Sequence, residues 1–184
     1  MALVPYVDPD QLNEDDRDLL ARPINLSRAI ANNPKALRAF SVMPHWVRYQ
    51  TELDSRLREL AILHIGYLLQ SDYEFSHHLQ LAQEFGATKA DITDLIAAIE
   101  GRPHGLGATE QLVLRFATEV TVDGKAQAQT WADVEDKLGR EQAIELLLIV
   151  SFFNNVARIL ATLDVDVEPE WASYLEQFPM PAKR

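Results

Sequence analysis

The segment EQAIELLLIVSFFNNVARILATLDV, in a helix expected from about Arg140 to Leu163, is apolar on nearly every face through LLLIVSFF. A helix with that pattern has no side to turn to water and must be surrounded by protein. Whatever else the chain forms has to wrap it. No stretch alternates like a strand over any useful length, and there is no low-complexity tract and no repeat of about 20–50 residues. The expected fold is therefore all-α, a compact multi-helix bundle. A domain of 184 residues offers few neighbours to such a helix, so part of its surface is expected to lie against a second copy, giving a homo-oligomer.

Size and charge narrow the function. A chain this long is most simply a single domain, able to bury roughly 70% of its unfolded surface. Apolar residues make up 47% of it, and the net charge is −11. That balance excludes a nucleic-acid surface, which needs clustered Lys and Arg. An anionic substrate would have to be drawn in by local arginines. MALVPYVDPD lacks the basic and apolar regions of a secretion signal. The apolar run from Ala143 to Phe153 is interrupted by Glu145 and Ser151 and is shorter than the roughly 20 residues that span a bilayer. The reading is a cytoplasmic protein with neither membrane nor nucleic acid as partner.

Three segments follow from the punctuation. Residues 1–24 form an arm with Pro5, Pro9 and Pro23 around the acidic piece QLNEDDRDLL, with room for one or two helical turns, packed over the domain or a neighbouring subunit. Residues 25–165 are the helical core, and 166–184 a tail that leaves through Pro169 and ends in PMPAKR. Within the core a short helix begins at Asn25 or Ser27, and Asn33 caps another with Pro34 at its first position. Leu37, Phe40, Trp46 and Val47 point inward, and Pro44 is expected to break that helix. Thr88 with Asp91, and Thr130 with Asp133, read as capping boxes. Thr109 opens the helix between them. The loop GRPHGLG, carrying His104, is the least regular segment.

The chemistry is concentrated in RLRELAILHIGYLLQSDYEFSHHLQLAQEFG, residues 56–86, which holds three of the five histidines. It reads as a helical hairpin: Asp54 caps the first helix, Ser71 and Asp72 make the break, and Gly86 ends the second. Glu59 and His64 lie on the first helix; Glu74, His77 and His78 lie on the second. Glu74 and His78 are four apart and share a face, where a carboxylate and an imidazole can exchange a proton. Arg58 and Arg158 are candidate anchors for a substrate carboxylate. Asn154 and Asn155, in apolar sequence, need hydrogen-bond partners if buried. His64 and His77 are read as structural. Glu74-x-x-His77 matches half of a di-iron carboxylate site, but the second half is missing, so no metal is expected.

Arg56, Arg58, Glu59 and Leu60, followed by Tyr73, Glu74, Phe75, His77, His78, Ala82 and Gly86, resemble the hallmark of the carboxymuconolactone decarboxylase / alkylhydroperoxidase D-like family. The likeness extends over most of residues 25–165. In the family's peroxidase branch a Glu is followed by eleven residues, Cys-x-x-Cys, three residues and a His. Laid from Glu59, that frame places Ser71 and Glu74 at the cysteine positions and His78 at the histidine. The chain has no cysteine, so it lacks the attacking and resolving thiols of peroxidase or disulfide chemistry. What remains is similar to the cofactor-free decarboxylase side.

The resemblance implies a homo-oligomer, trimer or hexamer, and a cofactor-free carboxy-lyase acting on a small carboxylated lactone or oxo acid. His78, Glu74 and Glu59 would be its catalytic residues, and Arg58, Ser71, Tyr73 and Arg158 would contact substrate. The other reading is a non-catalytic oligomeric helical protein that binds a small acid.

Overall fold

The computed structural model describes residues 2–181. The ends of the expected arm and tail, Met1 and Ala182–Arg184, lie outside the described residues. Among those described there are nine α-helices and no strand: α1 Asn25–Ile30, α2 Pro34–Tyr49, α3 Ser55–Leu68, α4 Asp72–Glu84, α5 Lys89–Ile99, α6 Ala108–Val122, α7 Ala128–Leu138, α8 Arg140–Leu163 and α9 Pro169–Gln177.

The helix surrounded on every side is α3, not α8. Every residue from Leu57 to Tyr67 is buried, and α3 packs against α4, α5, α6 and α8. It divides the interior in two. Ile62 and Ile65 face Phe116, Leu146, Ile149 and Val150 of α6 and α8. Leu60 and Leu63 face Phe75, Leu79, Ile92 and Leu95 of α4 and α5. By contrast α8 buries one face against α3, α6 and α7 and leaves a strip of Ile144, Leu148, Ser151, Asn155 and Arg158 exposed. Apolarity misleads here because α3 carries Arg58, Glu59 and His64, which find their partners inside the protein rather than in water. By length and composition alone α8 is long enough to cross a bilayer, which the shorter run from Ala143 to Phe153 had hidden.

The α3–α4 hairpin is held close. A Cβ on Gly66 would stand 3.2 Å from the Phe75 backbone nitrogen, so a larger residue there would have to push the two helices slightly apart. The turn closes with Gln70 in the left-handed region, φ 53°, its N–H reaching the Tyr67 carbonyl while the Ser71 N–H reaches that of Gly66. This is a Schellman closure on a residue other than glycine. Asp54 and Ser71 cap α3 and α4 as their positions indicate, accepting from the N–H groups of Leu57 and Glu74.

Two helix signals read differently in three dimensions. Pro44 lies inside α2 and does not end it. Phe40, Ser41, Pro44 and Val47 share the face that α2 turns to a cavity, where the ring has room and only one backbone bond is lost. Thr130 does not cap α7, which already begins at Ala128; its hydroxyl donates to Glu119 and Asp133 pairs with Arg115. The Thr88–Asp91 box is present on α5. Glu145, the interruption in the apolar run, is buried and accepts from the N–H groups of Glu52 and Leu53, tying the α2–α3 loop to α8. Asn154 is buried and donates to Thr121 and to the Val150 carbonyl, whereas Asn155 is exposed.

The arm packs on its own chain as two short 3₁₀ segments, Pro9–Gln11 and Glu14–Leu20, with Leu12 and Leu20 against Leu37 and Asp16 and Asp18 on Arg38. The tail turns back at Asp164, where φ is 51°, and its helix α9 lies on α4.

Candidate active site

Between α1, α2, α3, α4 and α8 lies a cavity of about 250 Å³. Its apolar lining comes from residues such as Leu26, Phe40, Ile62 and Phe153, and its polar lining from Arg58, Glu59, Tyr73, Glu74, His77 and His78. All six of these polar side chains come from the one hairpin, because positions 58, 59 and 62 fall on the side of α3 that meets 73, 74, 77 and 78 of α4.

His78 is clamped between two carboxylates. Its Nδ1 is 2.7 Å from Glu59 Oε2, its Nε2 3.3 Å from Glu74 Oε1, and its edge meets the Phe153 ring. Both glutamates are buried. Burial alone would lower the imidazole pKa, but Glu59 and then Glu74 overcome it and raise the group to about 9. Burial pushes the Glu59 carboxyl up, yet His78 and Arg58 outweigh it, and the group ends below the ordinary glutamate range. At neutral pH the site therefore holds an imidazolium beside an ionised carboxylate. The contact at Nδ1 is the tight one. Nε2 carries the more loosely held proton.

Arg58 completes the cluster. Its Nε donates to Glu59 at 3.1 Å and its Nη1 to the Val47 carbonyl at 3.2 Å. The guanidinium lies over the Phe85 ring at 4.6 Å. Among the described residues its buried Nη2 has no acceptor, which costs on the order of 1–3 kcal/mol or more for a charged donor. Arg58 thus brings a cation with an unspent donor to the cavity lining.

The remaining expected residues are distributed differently. Tyr73 lines the cavity, but its hydroxyl is spent: it accepts from Leu26 N–H and donates to Glu168, and burial together with Glu168 pushes its pKa far up. Ser71 is occupied as the α4 cap and does not line the cavity. Arg158 folds back on Asn154 of its own helix, on the outer side of α8. Neither is placed to touch a molecule in this cavity. His64 is structural: its Nε2 donates to Thr118, which donates to the Leu114 carbonyl, and burial lowers its pKa to about 4. His77, also read as structural, lines the cavity.

Three contributors escape sequence reading. Arg22 and Arg48 line the cavity while remaining exposed, and neither is ion-paired among the described residues, so both lend positive charge to its mouth. Glu168 is buried just before α9 and accepts from His77, Tyr73 and the Asn25 N–H. The one hint was a carboxylate directly before Pro169, at the N-terminus of a helix. No group of three or more His, Asp or Glu side chains arranged to hold a metal ion occurs among the described residues.

This helical arrangement is that of AhpD-like proteins. An uncharacterised peroxidase-related protein with an alkylhydroperoxidase AhpD core, from Ralstonia eutropha JMP134, superimposes with a TM-score of 0.78 at 18% identity, covering 95% of each chain. The debrominase Bmp8, in complex with 2,3,4-tribromopyrrole, does so with a TM-score of 0.75 at 17% identity, over 96% of this chain and 99% of that one. A peroxidase-related protein from Silicibacter sp. TM1040 gives 0.70 at 17%, over 92% of each. No curated protein matches the sequence significantly. The sequence model of the carboxymuconolactone decarboxylase family matches residues 34–119. Glu59, Glu74, His77 and His78 fall inside that region; Arg22, Phe153 and Glu168 fall outside.

Proposed function

We propose that the protein is a cofactor-free acid–base enzyme, a decarboxylase or related lyase acting on a small carboxylated lactone or oxo acid. The observation that carries this reading is the His78 imidazolium clamped by Glu59 and Glu74 on a cavity wall beside Arg58. A substrate carboxylate or its carbonyl oxygen takes the free Arg58 Nη2. The bond to the departing carboxylate breaks, its electron pair moves into the conjugated carbonyl, and carbon dioxide leaves. Arg58 and the His78 cation stabilise the resulting enolate. His78 Nε2 gives its proton to carbon, Glu59 holds the ring through Nδ1 meanwhile, and water restores the proton. Arg22 and Arg48 attract the anion against a net charge of −11.

A thiol mechanism has no place in this reading, since Ser71 and Glu74 stand where the cysteines of the peroxidase frame would be. The test is carbon dioxide release and lactone consumption over a panel of small lactone and oxo acids, with wild type beside His78→Gln. Turnover lost by about a hundredfold or more in the variant supports the proton donor; equal turnover by both refutes it. We also propose that copies associate, as trimers or hexamers, through the strip carrying Ile144 and Leu148, which are 43% and 40% exposed. Light scattering on wild type and Leu148→Glu tests that association.

A further inference from the structure

His77, on the same cavity, forms a second acid–base pair with Glu168, which stands outside the lining. The His77 ring is stacked between Tyr73, at 4.2 Å and 14°, and Trp171, at 4.4 Å and 26°. Its Nε2 lies 2.8 Å from Glu168 Oε2. The other oxygen of Glu168 accepts from Tyr73 and from the Asn25 N–H. Burial acts to raise the Glu168 carboxyl, but the His77 and Asn25 contacts hold it below the ordinary range. An ionised carboxylate only accepts, so Nε2 of His77 must carry the hydrogen. The neutral ring then has its lone pair on Nδ1, which bonds to none of the described residues. His78 is the reverse case, with both nitrogens committed to carboxylates. One helix thus carries on this cavity a charged acid and, one residue earlier, a ring with an unbonded nitrogen.

We propose that His77 Nδ1 is a proton acceptor for the molecule bound in this cavity, with Glu168 as its positioning residue, so that the site also catalyses an allylic proton shift in small unsaturated lactones. This deepens the acid–base reading above and rests on it. The α C–H bond of a β,γ-unsaturated lactone breaks, the proton passes to His77 Nδ1, and the electron pair enters the carbonyl as a dienolate. His78 Nε2–H then gives its proton to the γ carbon, and water resets both rings. No oxidant, reductant or further reactant is needed. The tail supplies Glu168 and Trp171, so this base is built by chain that lies outside the family-matched residues 34–119.

The probe is α-angelica lactone in deuterated buffer, followed by NMR for deuterium at the α carbon and by absorbance for conversion to the conjugated isomer. Wild type is expected to do both. His77→Asn should lose α exchange by roughly a hundredfold or more. Glu168→Gln should lose about tenfold or more and shift the pH profile of exchange, with melting retained. His78→Gln should lose conversion by a larger factor than exchange, since it removes the γ-carbon donor while Arg58 still stabilises the dienolate. Exchange that is absent in wild type, unchanged in His77→Asn, or lost in His78→Gln while kept in His77→Asn overturns the proposal. Decarboxylation lost in His78→Gln by a larger factor than exchange, with the reverse order in His77→Asn, shows the two roles apart. A folding defect in a variant does not shield the idea, because long-range nitrogen–proton spectra of wild type read the tautomer directly. Hydrogen on Nε2 of the neutral His77 ring is required, and hydrogen on Nδ1 overturns the assignment.

Discussion

At the scale of single residues, the site is a set of charges that fix one another's protonation. The pKa of His78 is raised, so its contribution to stability is complete below the ordinary histidine value of about 6.5 and disappears as pH rises through about 9. Glu59 is lowered, so its contribution is present above the ordinary glutamate value and is lost as pH falls through the depressed one. Denaturant melts of wild type between pH 7 and 10 should show stability falling, by at most about 3 kcal/mol, and His78→Gln should flatten that dependence. Turnover limited by the His78 proton should decline over the same alkaline range. If the wild-type curve is flat to pH 10, the clamped imidazolium is wrong. His64 acts oppositely: burial lowers its pKa to about 4, so it costs stability progressively as pH falls below about 6.5. That Glu59, Glu74 and His78 belong together was legible in the sequence as a frame of fixed spacing; that Glu59 takes Nδ1 and Glu74 takes Nε2 was not. Nor was the unspent Arg58 Nη2, because which donors go unpaired depends on where Val47 and Phe85 sit.

At the scale of elements, the hairpin is where local signals and tertiary demands agree. Asp54, Ser71, Thr88 and Gly86 are caps or stops whose geometry is settled within four residues, and such features read directly from sequence. Gly66 depends on Phe75 across the helix contact, and no local rule flags it. Gly66→Ala should destabilise by about 1–3 kcal/mol, as overpacking at a close helix crossing does, with a fall in the thermal midpoint as the readout; a neutral result would mean the helices separate at no cost. Glu145→Ala removes the acceptor for the Glu52 and Leu53 N–H groups and should cost about 1–3 kcal/mol in urea melts, although the glutamate looks like an intrusion in apolar sequence. Pro44 and Thr130 were misread for the same reason: a cavity beside α2 excuses the proline, and Glu119 of α6 claims the threonine.

At the scale of the whole molecule, the all-α class was legible because no alternative period competed with the helical one. Which helix lies at the centre was not, since α3 hides its burial behind polar residues and α8 advertises more apolar surface than one chain covers. The mouth of the cavity depends on chain from both ends: α1 contributes Leu26 and Ser27, and the Asn25 and Leu26 N–H groups are held by Glu168 and Tyr73. Arg22 and Arg48 put positive charge there on an otherwise acidic protein. Arg48→Glu should raise KM for an anionic substrate several-fold with kcat nearly unchanged, and added salt should shrink the difference. A fall in kcat alone would place Arg48 in the chemistry instead.

Glu168 sits about ninety residues away along the chain from the helix whose rings it holds. His78 and its carboxylate partners fit within twenty consecutive residues, 59 to 78, while the walls facing them come from α1, α2 and α8. The charged cluster and most of the walls around it are thus inherited on separate lengths of polypeptide. A graft of α1 and α2 between two proteins of this fold would exchange the walls while leaving the cluster in place, and a lineage could change its diet without rebuilding that cluster.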